Sequence, residues 1–91
     1  MYSQMSTQIM AHPNPFLSCI TLEIETGKAE HSIVYLFDSD GKIVKMLSWD
    51  LKKGMNITRL NHLDKLLNGM YFLDIINELG QIMHQLKVVK E

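Results

Sequence analysis

Apolar and polar residues alternate along most of this chain, and glycine-containing turns interrupt the alternation about every ten residues. In the segment ITLEIE, Ile20, Leu22 and Ile24 fall on one face and the polar residues between them fall on the other. A period of two residues is typical of a half-buried β-strand, because successive side chains of a strand point to opposite faces. The sequence therefore predicts an all-β protein, a small antiparallel β-sandwich of six to seven strands.

The remaining strand-like segments differ in their patterns. SIVYLF (residues 32–37) is apolar on both faces, as expected of a central strand. Asp40-Gly41 follows it and indicates a hairpin turn, because glycine adopts positive φ without steric cost. The leucines of residues 60–67 have nearly helical spacing, but the segment is too short for a stable helix. We expect it to form a helical turn or a loop that places leucines on the core.

The last two strands are predicted from MYFLDII (residues 70–76) and IMHQLKVVK (residues 82–90), which the turn NELGQ joins into a hairpin. In the first segment, one face is expected to carry Tyr71, Leu73 and Ile75. In the second, one face is expected to carry Ile82, His84, Leu86 and Val88.

Size and charge limit the classes of function. The chain has 91 residues, enough for one domain, and nine Lys and Arg against ten Asp and Glu give a net charge of −1. A nucleic-acid-binding domain would normally carry a basic stripe, so no nucleic-acid partner is expected. No apolar stretch approaches the roughly 20 residues of a membrane-spanning helix, so no membrane insertion is expected.

Residues 1–12 have neither the basic start nor the apolar centre of a signal peptide. We interpret them as an N-terminal arm or linker, or as residues left by cloning, and we place the folded domain at residues 13–91. If the protein is exported, its export signal is expected upstream of this sequence.

No pattern of catalytic or metal-binding residues is apparent. The four histidines lie far apart in the sequence, and Cys19 is the only cysteine, which we interpret as a small buried apolar residue. Asp38 and Asp40 flank a turn, but the calcium-loop pattern that would continue from them is incomplete, so turn capping accounts for them better. The prediction is a non-enzymatic protein without a cofactor or metal ion.

Short motifs follow one another in a distinctive order, from a Pro-Asn-Pro opening to a basic and aliphatic C-terminus. They comprise Pro13, Asn14, Pro15 and Phe16; Asp38, Gly41, Lys42 and Val44; Gly54, Leu60 and Leu63; Gly69 and Tyr71; Gly80; and Lys87, Val88, Val89, Lys90 and Glu91. In this order the chain resembles the C-terminal sorting domain of the type IX secretion system of Bacteroidetes, also called the Por secretion signal domain. The resemblance covers residues 13–91.

The resemblance implies an immunoglobulin-like β-sandwich that is appended to an exported cargo protein and has no catalysis of its own. Secretion-system components would recognise it in the periplasm and pass the cargo through the outer-membrane translocon to the cell surface or the exterior. A cell-surface sortase would then remove the domain. Weak self-association through strand edges is a further expected interaction.

Two of the motifs have two interpretations each. Pro13 and Pro15 lack amide hydrogens and cannot donate to a neighbouring strand. They could hold a linker away from the sheet while Phe16 anchors it, or they could protect a strand edge. The terminal KVVKE could be bound by a receptor that adds a strand beside it, or it could be an ordinary edge strand protected by Lys87 and Lys90.

Two other functions remain open. The chain could be an accessory β-sandwich of an exported hydrolase or protease that binds carbohydrate or protein or braces the catalytic domain. Carbohydrate binding usually needs an exposed aromatic ring, and Trp49 is the only tryptophan. The chain could also be an inhibitor or pro-segment whose strand edge blocks a protease groove.

Overall fold

The computed structural model describes residues 8–91, which form seven β-strands and no helix. The strands are β1 (Gln8–His12), β2 (Ile20–Thr26), β3 (Glu30–Phe37), β4 (Ile43–Leu51), β5 (Gly54–Leu60), β6 (Gly69–Asn77) and β7 (Ile82–Lys90). The described residues thus contain no helix that is long and apolar enough to cross a membrane.

The strands form two antiparallel sheets, one with the order β1-β2-β5 and one with the order β4-β3-β6-β7. The pairing of β2 with β5 and of β3 with β6 and β7 is that of the B–E and C–F–G strands of an immunoglobulin domain. The predicted small antiparallel β-sandwich is confirmed, and β3 has the predicted central position in its sheet.

The core lies between the inner faces of the two sheets, and the period of two predicts most of its side chains. Fourteen apolar residues are buried: Phe16, Ile20, Leu22, Ile24, Val34, Leu36, Trp49, Leu51, Leu60, Leu63, Tyr71, Leu73, Ile75 and Val88. Alternate residues of β2, β3 and β6 supply most of them. Burial of these residues is the main contribution to folding, at about 25 cal/mol per Å² of apolar surface.

The hairpins β3–β4 and β6–β7 close with the same turn. Asp38 Oδ1 accepts hydrogen bonds from the amides of Asp40 and Lys42, both at 2.9 Å. In the second hairpin, Asn77 Oδ1 accepts from the amides two and four residues later, both at 3.0 Å. A glycine follows three residues after each Asx residue, and at Gly41 the φ of +84° explains why a side chain is disfavoured there.

The structure differs from the sequence analysis at residues 8–12 and at Cys19. Residues 8–12, which were assigned to an arm or linker, form strand β1 and pair with β2. The domain boundary at residue 13 remains a prediction, and residues 1–7 lie outside the described part. Cys19, interpreted as buried, is only partly buried.

A register shift between β6 and β7 moves Ile82 away from its expected face. Ile76 pairs with Ile82, whereas Ile75 pairs with His84, so one residue of β7 is bulged. A shift of one residue transfers a side chain to the other face of a sheet. Ile82 therefore lies on the outer face and is exposed, opposite to Val88.

The segment between β5 and β6 is a loop, one of the two forms expected for it. Leu63 is buried in the core and Leu66 packs partly against it, as predicted. Leu67, in contrast, is 81% exposed. The loop is attached to the segment before β2 by a hydrogen bond of 2.9 Å from the Leu63 amide to the Ser18 carbonyl oxygen.

Candidate functional site

The Pro-Asn-Pro-Phe segment lies along the outer edge of β7, beside the end of the chain. The Val89 amide donates to Asn14 Oδ1 at 2.9 Å, and Asn14 Nδ2 donates to the Lys87 carbonyl oxygen at 3.4 Å. The peptide bonds before Pro13 and Pro15 are both cis. Two motifs that lie 75 residues apart in the sequence are thus in direct contact.

Phe16 continues this contact through its backbone. Its amide donates to the Val89 carbonyl oxygen at 2.8 Å, and the Glu91 amide donates to the Phe16 carbonyl oxygen at 3.0 Å. Phe16 and Lys90 form a parallel β-bridge at this point. We call residues 13–16 together with residues 87–91 the terminal clasp.

The Phe16 side chain anchors the terminal clasp to the core. It is fully buried, and its ring meets that of Tyr71 edge to face, with the ring centroids 6.0 Å apart. Leu17, the next residue, is 64% exposed. The prediction that Phe16 attaches this segment to the core agrees with this packing.

Residues 87–91 alternate between the core and the surface. Val88 and Lys90 are buried, and the Lys90 ammonium donates to the Glu91 carbonyl oxygen at 3.0 Å. Lys87 and Glu91 are exposed, and Val89 is partly buried. The backbone groups that a receptor strand would pair with are already bound to Asn14 and Phe16.

Gly69 and Tyr71 begin the strand next to this end of β7. Gly69 pairs with Lys90 and Tyr71 pairs with Val88. Gly69 has a φ of +144°, which disfavours any residue with a side chain. The Tyr71 hydroxyl donates to the Leu67 carbonyl oxygen at 2.7 Å, the arrangement known in immunoglobulin-like domains as a tyrosine corner.

The Asp38 turn lies at the same end of the sandwich. Asp38 and Asp40 face Gly69 and Tyr71 across a small cleft, and Leu67 forms part of the same wall. Gly41 and Lys42 belong to this turn, where the Lys42 amide donates to Asp38. We call the terminal clasp, the Asp38 turn and the start of β6 together the motif end.

Gly80 lies apart from the motif end, as does Gly54, which begins β5 opposite Thr26. Gly80 lies in the β6–β7 turn, at the opposite end of both strands from Gly69 and Lys90. Its amide donates to the Asn77 carbonyl oxygen at 2.9 Å, which closes the hairpin. Its contacts therefore support the turn and not the motif end.

The described residues contain no group of three or more acidic, histidine or cysteine side chains that could hold a metal ion. Burial lowers the pKa of His84, on the inner side of β7. His12 pairs with Glu23, and His31 pairs with Asp50. Each pair links two neighbouring strands on the surface of a sheet. The His12 pair lies beside the motif end, and the His31 pair lies away from it. At the motif end, the side chains of Phe16 and Asn14 contribute packing against the core and hydrogen bonding to β7, respectively.

Two apolar residues beside the motif end are largely exposed: Leu17, to which the sequence analysis gave no role, and Leu67, which it expected on the core. The signal that could have found Leu17 is its place in the alternation, because the residue after an inward-pointing Phe16 must point outward. No comparable signal exists for Leu67, because loop residues have no fixed period.

A two-sheet sandwich with this strand pairing, and with most of its motifs at one end, is a small immunoglobulin-like β-sandwich domain. The chain belongs to the family of secretion system C-terminal sorting domains, because the model of this family matches residues 10–90. The family is that of type IX secretion. No curated protein matches the chain.

Membership of this family establishes the function at a coarse level. The domain is a C-terminal sorting signal for type IX secretion, a role that involves no catalysis. Export to the cell surface or the exterior and interaction with the secretion machinery follow from the same membership.

Proposed function

We propose that this domain directs a fused cargo protein through the outer-membrane translocon of the type IX system, and that the motif end is the surface that the secretion machinery recognises. Recognition takes place in the periplasm, on the folded domain. A cell-surface sortase later releases the cargo from the domain.

One observation carries this proposal: motifs from opposite ends of the chain meet in the terminal clasp. The Asn14 side chain bonds to the backbone of residues 87 and 89. A receptor that contacts this end can therefore test both termini of the domain at once. Only a correctly folded domain offers that combination, because an unfolded chain separates the two motifs.

The occupied edge of β7 favours one mode of recognition over another. A receptor strand could pair with residues 87–91 only after the Asn14 and Phe16 hydrogen bonds had broken. The clasp instead leaves the side chains of Lys87 and Glu91 exposed. We therefore propose recognition through exposed side chains, with the clasp closed.

The alternative of a carbohydrate-binding module loses its best support. Trp49, the only tryptophan, is 8% exposed and belongs to the core, so its ring is not available for stacking on a sugar. No other observation favours an accessory or inhibitory role.

The test is an export assay with a fluorescent protein that carries an export signal and is fused ahead of residues 8–91. The reporter must be joined ahead of residue 8, because residues 8–12 form β1 and belong to the sheet. Deleting KVVKE would remove the buried Val88 and thus damage the fold, so point variants are preferable. Lys87→Glu changes the motif end, whereas the matched variant Lys52→Glu changes an exposed lysine at the β4–β5 turn.

We expect the wild-type and Lys52→Glu fusions to reach the cell surface and the Lys87→Glu fusion to stay in the periplasm. Both variants should keep the wild-type unfolding midpoint, because exposed charges contribute little to stability. If the wild-type fusion stays inside cells whose machinery exports its own cargo, the proposed sorting role is wrong. If both variants are exported equally well, recognition does not use this side of the motif end.

A further inference from the structure

The two outer faces of the sandwich differ in chemistry. The outer face of the three-stranded sheet has a polar centre on β2, formed by Thr21, Glu23 and Glu25, with the exposed Met10, Met55 and Ile57 on the flanking strands. The outer face of the four-stranded sheet is largely apolar, and we call it the apolar face. Its side chains include Phe37, Ile43, Met46, Met70, Phe72 and Ile82, of which all but the partly buried Phe37 are exposed.

The size of the apolar face indicates a contact surface. Four strands about 4.8 Å apart and about eight residues long give the whole face roughly 500 Å², and the apolar patch is part of this area. Apolar patches of a few hundred Å² on small proteins are often functional. A stable dimer normally buries about 800 Å² on each copy, so the area is small for self-association and suits a transient contact.

Asp74 lies within the apolar face and restricts what can cover it. Its residue is only 9% exposed, and Oδ1 accepts a hydrogen bond of 3.2 Å from Gln85 Nε2. Oδ2 has no hydrogen-bond donor among residues 8–91. In this part of the chain, every side-chain oxygen or nitrogen that is fully shielded from solvent has a hydrogen-bond partner, so Oδ2 is not fully shielded. Oδ2 is therefore open to the groove that Asp74 lines together with Phe37 and Phe72.

A purely apolar cover would be unfavourable here. It would bury the carboxylate without a second partner, and an unpaired buried charge costs several kcal/mol in the bound state. The groove lining carries two carboxylates, Asp38 and Asp74, and one ammonium, Lys87. Lys87 forms no ion pair with Asp74, since the ion pairs of the described residues join other side chains. A cation from outside the domain would complete the site.

We infer that the apolar face binds a protein component of the secretion machinery that places an arginine or lysine in the groove beside Phe37 and Phe72 to pair with Asp74. The aromatic rings suit the flat guanidinium group of arginine, which can also form two hydrogen bonds with a carboxylate. This inference rests on the proposed function, because it names the chemical group through which the sorting machinery would contact the domain.

The first test compares Asp74→Asn with Glu25→Gln in the export assay. Asparagine keeps the shape of Asp74 and its bond to Gln85 but removes the charge, and the matched variant removes a carboxylate from the other outer face. We expect export of Asp74→Asn to fall about tenfold or more, since a hydrogen bond to a charged group contributes about 1.5–3 kcal/mol. Glu25→Gln should be exported as the wild type is. If Asp74→Asn does not fold, Phe72→Ala tests the same groove.

The second test identifies the occupant. A photo-crosslinking amino acid at Met46, which is exposed on the apolar face, should capture a machinery protein, and one at Met55, on the other sheet, should not. Replacing a basic residue in the captured segment by glutamate should restore export of Asp74→Lys. This exchange of charges distinguishes a direct pair from a general loss of binding.

Three outcomes decide the matter. Normal export of Asp74→Asn and Phe72→Ala, with the wild-type fusion at the cell surface, overturns this inference and leaves the sorting role intact. Retention of the wild-type fusion overturns the sorting role and this inference with it. A purified domain that sediments as a dimer, and as a monomer after Phe72→Ala, would assign the apolar face to a second copy and overturn the inference.

Discussion

Replacing Phe16 with alanine should be among the most destabilising single changes in this domain, although the residue lies outside every strand. The ring is fully buried and contacts Tyr71 edge to face at 6.0 Å. Loss of a buried phenylalanine ring costs about 3–5 kcal/mol, which includes the cavity that remains. A domain of 91 residues has a total stability of about 5–14 kcal/mol, so the variant should lose a large part of it.

Urea unfolding followed by tryptophan fluorescence measures this loss. Trp49 is the only tryptophan and is buried, so its emission should report the unfolding of the core. The matched control is Leu17→Ala, next to Phe16 but 64% exposed, which should change stability by less than about 0.5 kcal/mol. We expect the melting temperature of Phe16→Ala to fall by more than about 12 °C.

A cost for Phe16→Ala below about 1 kcal/mol would refute this reasoning. It would mean that the ring is not part of the cooperative core and that the terminal clasp opens before the sandwich unfolds. A clasp that opens easily would expose the edge of β7, so that a receptor could add a strand there during export.

Three further predictions concern hydrogen bonding and protonation. Tyr71→Phe removes the hydroxyl that donates to Leu67 and should cost about 1–1.5 kcal/mol. Tyr35 lies on the outer face of β3, and its hydroxyl has no hydrogen-bond partner among residues 8–91, so Tyr35→Phe should cost less than about 0.5 kcal/mol; urea unfolding measures both. Asn14→Ala removes the side-chain acceptor of the Val89 amide and should cost about 0.5–1.5 kcal/mol; hydrogen exchange of that amide should become faster than in the matched loop variant Asn61→Ala, and an unchanged exchange rate would contradict the clasp. Burial lowers the pKa of His84 below 6.5, so the stability that its neutral form contributes is present above pH 6.5 and is lost as the pH falls through the folded-state pKa. Between pH 7 and pH 5, the wild-type protein should therefore lose more stability than His84→Gln does. Urea unfolding measures the losses, and His62→Gln, at an exposed histidine, is the control. Equal losses in the wild type and His84→Gln would show that the pKa of His84 does not change on folding.

Much of the fold could be predicted because the relevant signals are local. The inward position of Ile20, Leu22 and Ile24 follows from the period of two, which any strand imposes on its side chains. The turn after β3 follows from Asp38 and Gly41, since the carboxylate caps nearby amides and glycine supplies the positive φ. Such signals depend on a few neighbouring residues and need no knowledge of the partner strand.

Local signals were insufficient where a single register step or a short strand decides the outcome. A bulge in β7 turns Ile82 to the outer face, and nothing in the alternation of that segment indicates where the extra residue is placed. Residues 8–12 form β1 although their pattern was too short to distinguish a strand from an arm. Strand pairing with β2 determines their conformation.

The class of fold, the faces of the central strands, the turn chemistry and the order of the family's motifs can all be predicted from local sequence. Which of those motifs lie together depends on the fold: Asn14 contacts Val89 across 75 residues, whereas Gly80 lies at the other end of the sandwich. The fold also brings Asp74 into one groove with Phe37, Phe72 and Lys87, which other parts of the sheet contribute. The physical reason is that alternation specifies the face on which a side chain lies, while its neighbours depend on strand pairing between residues far apart in the chain.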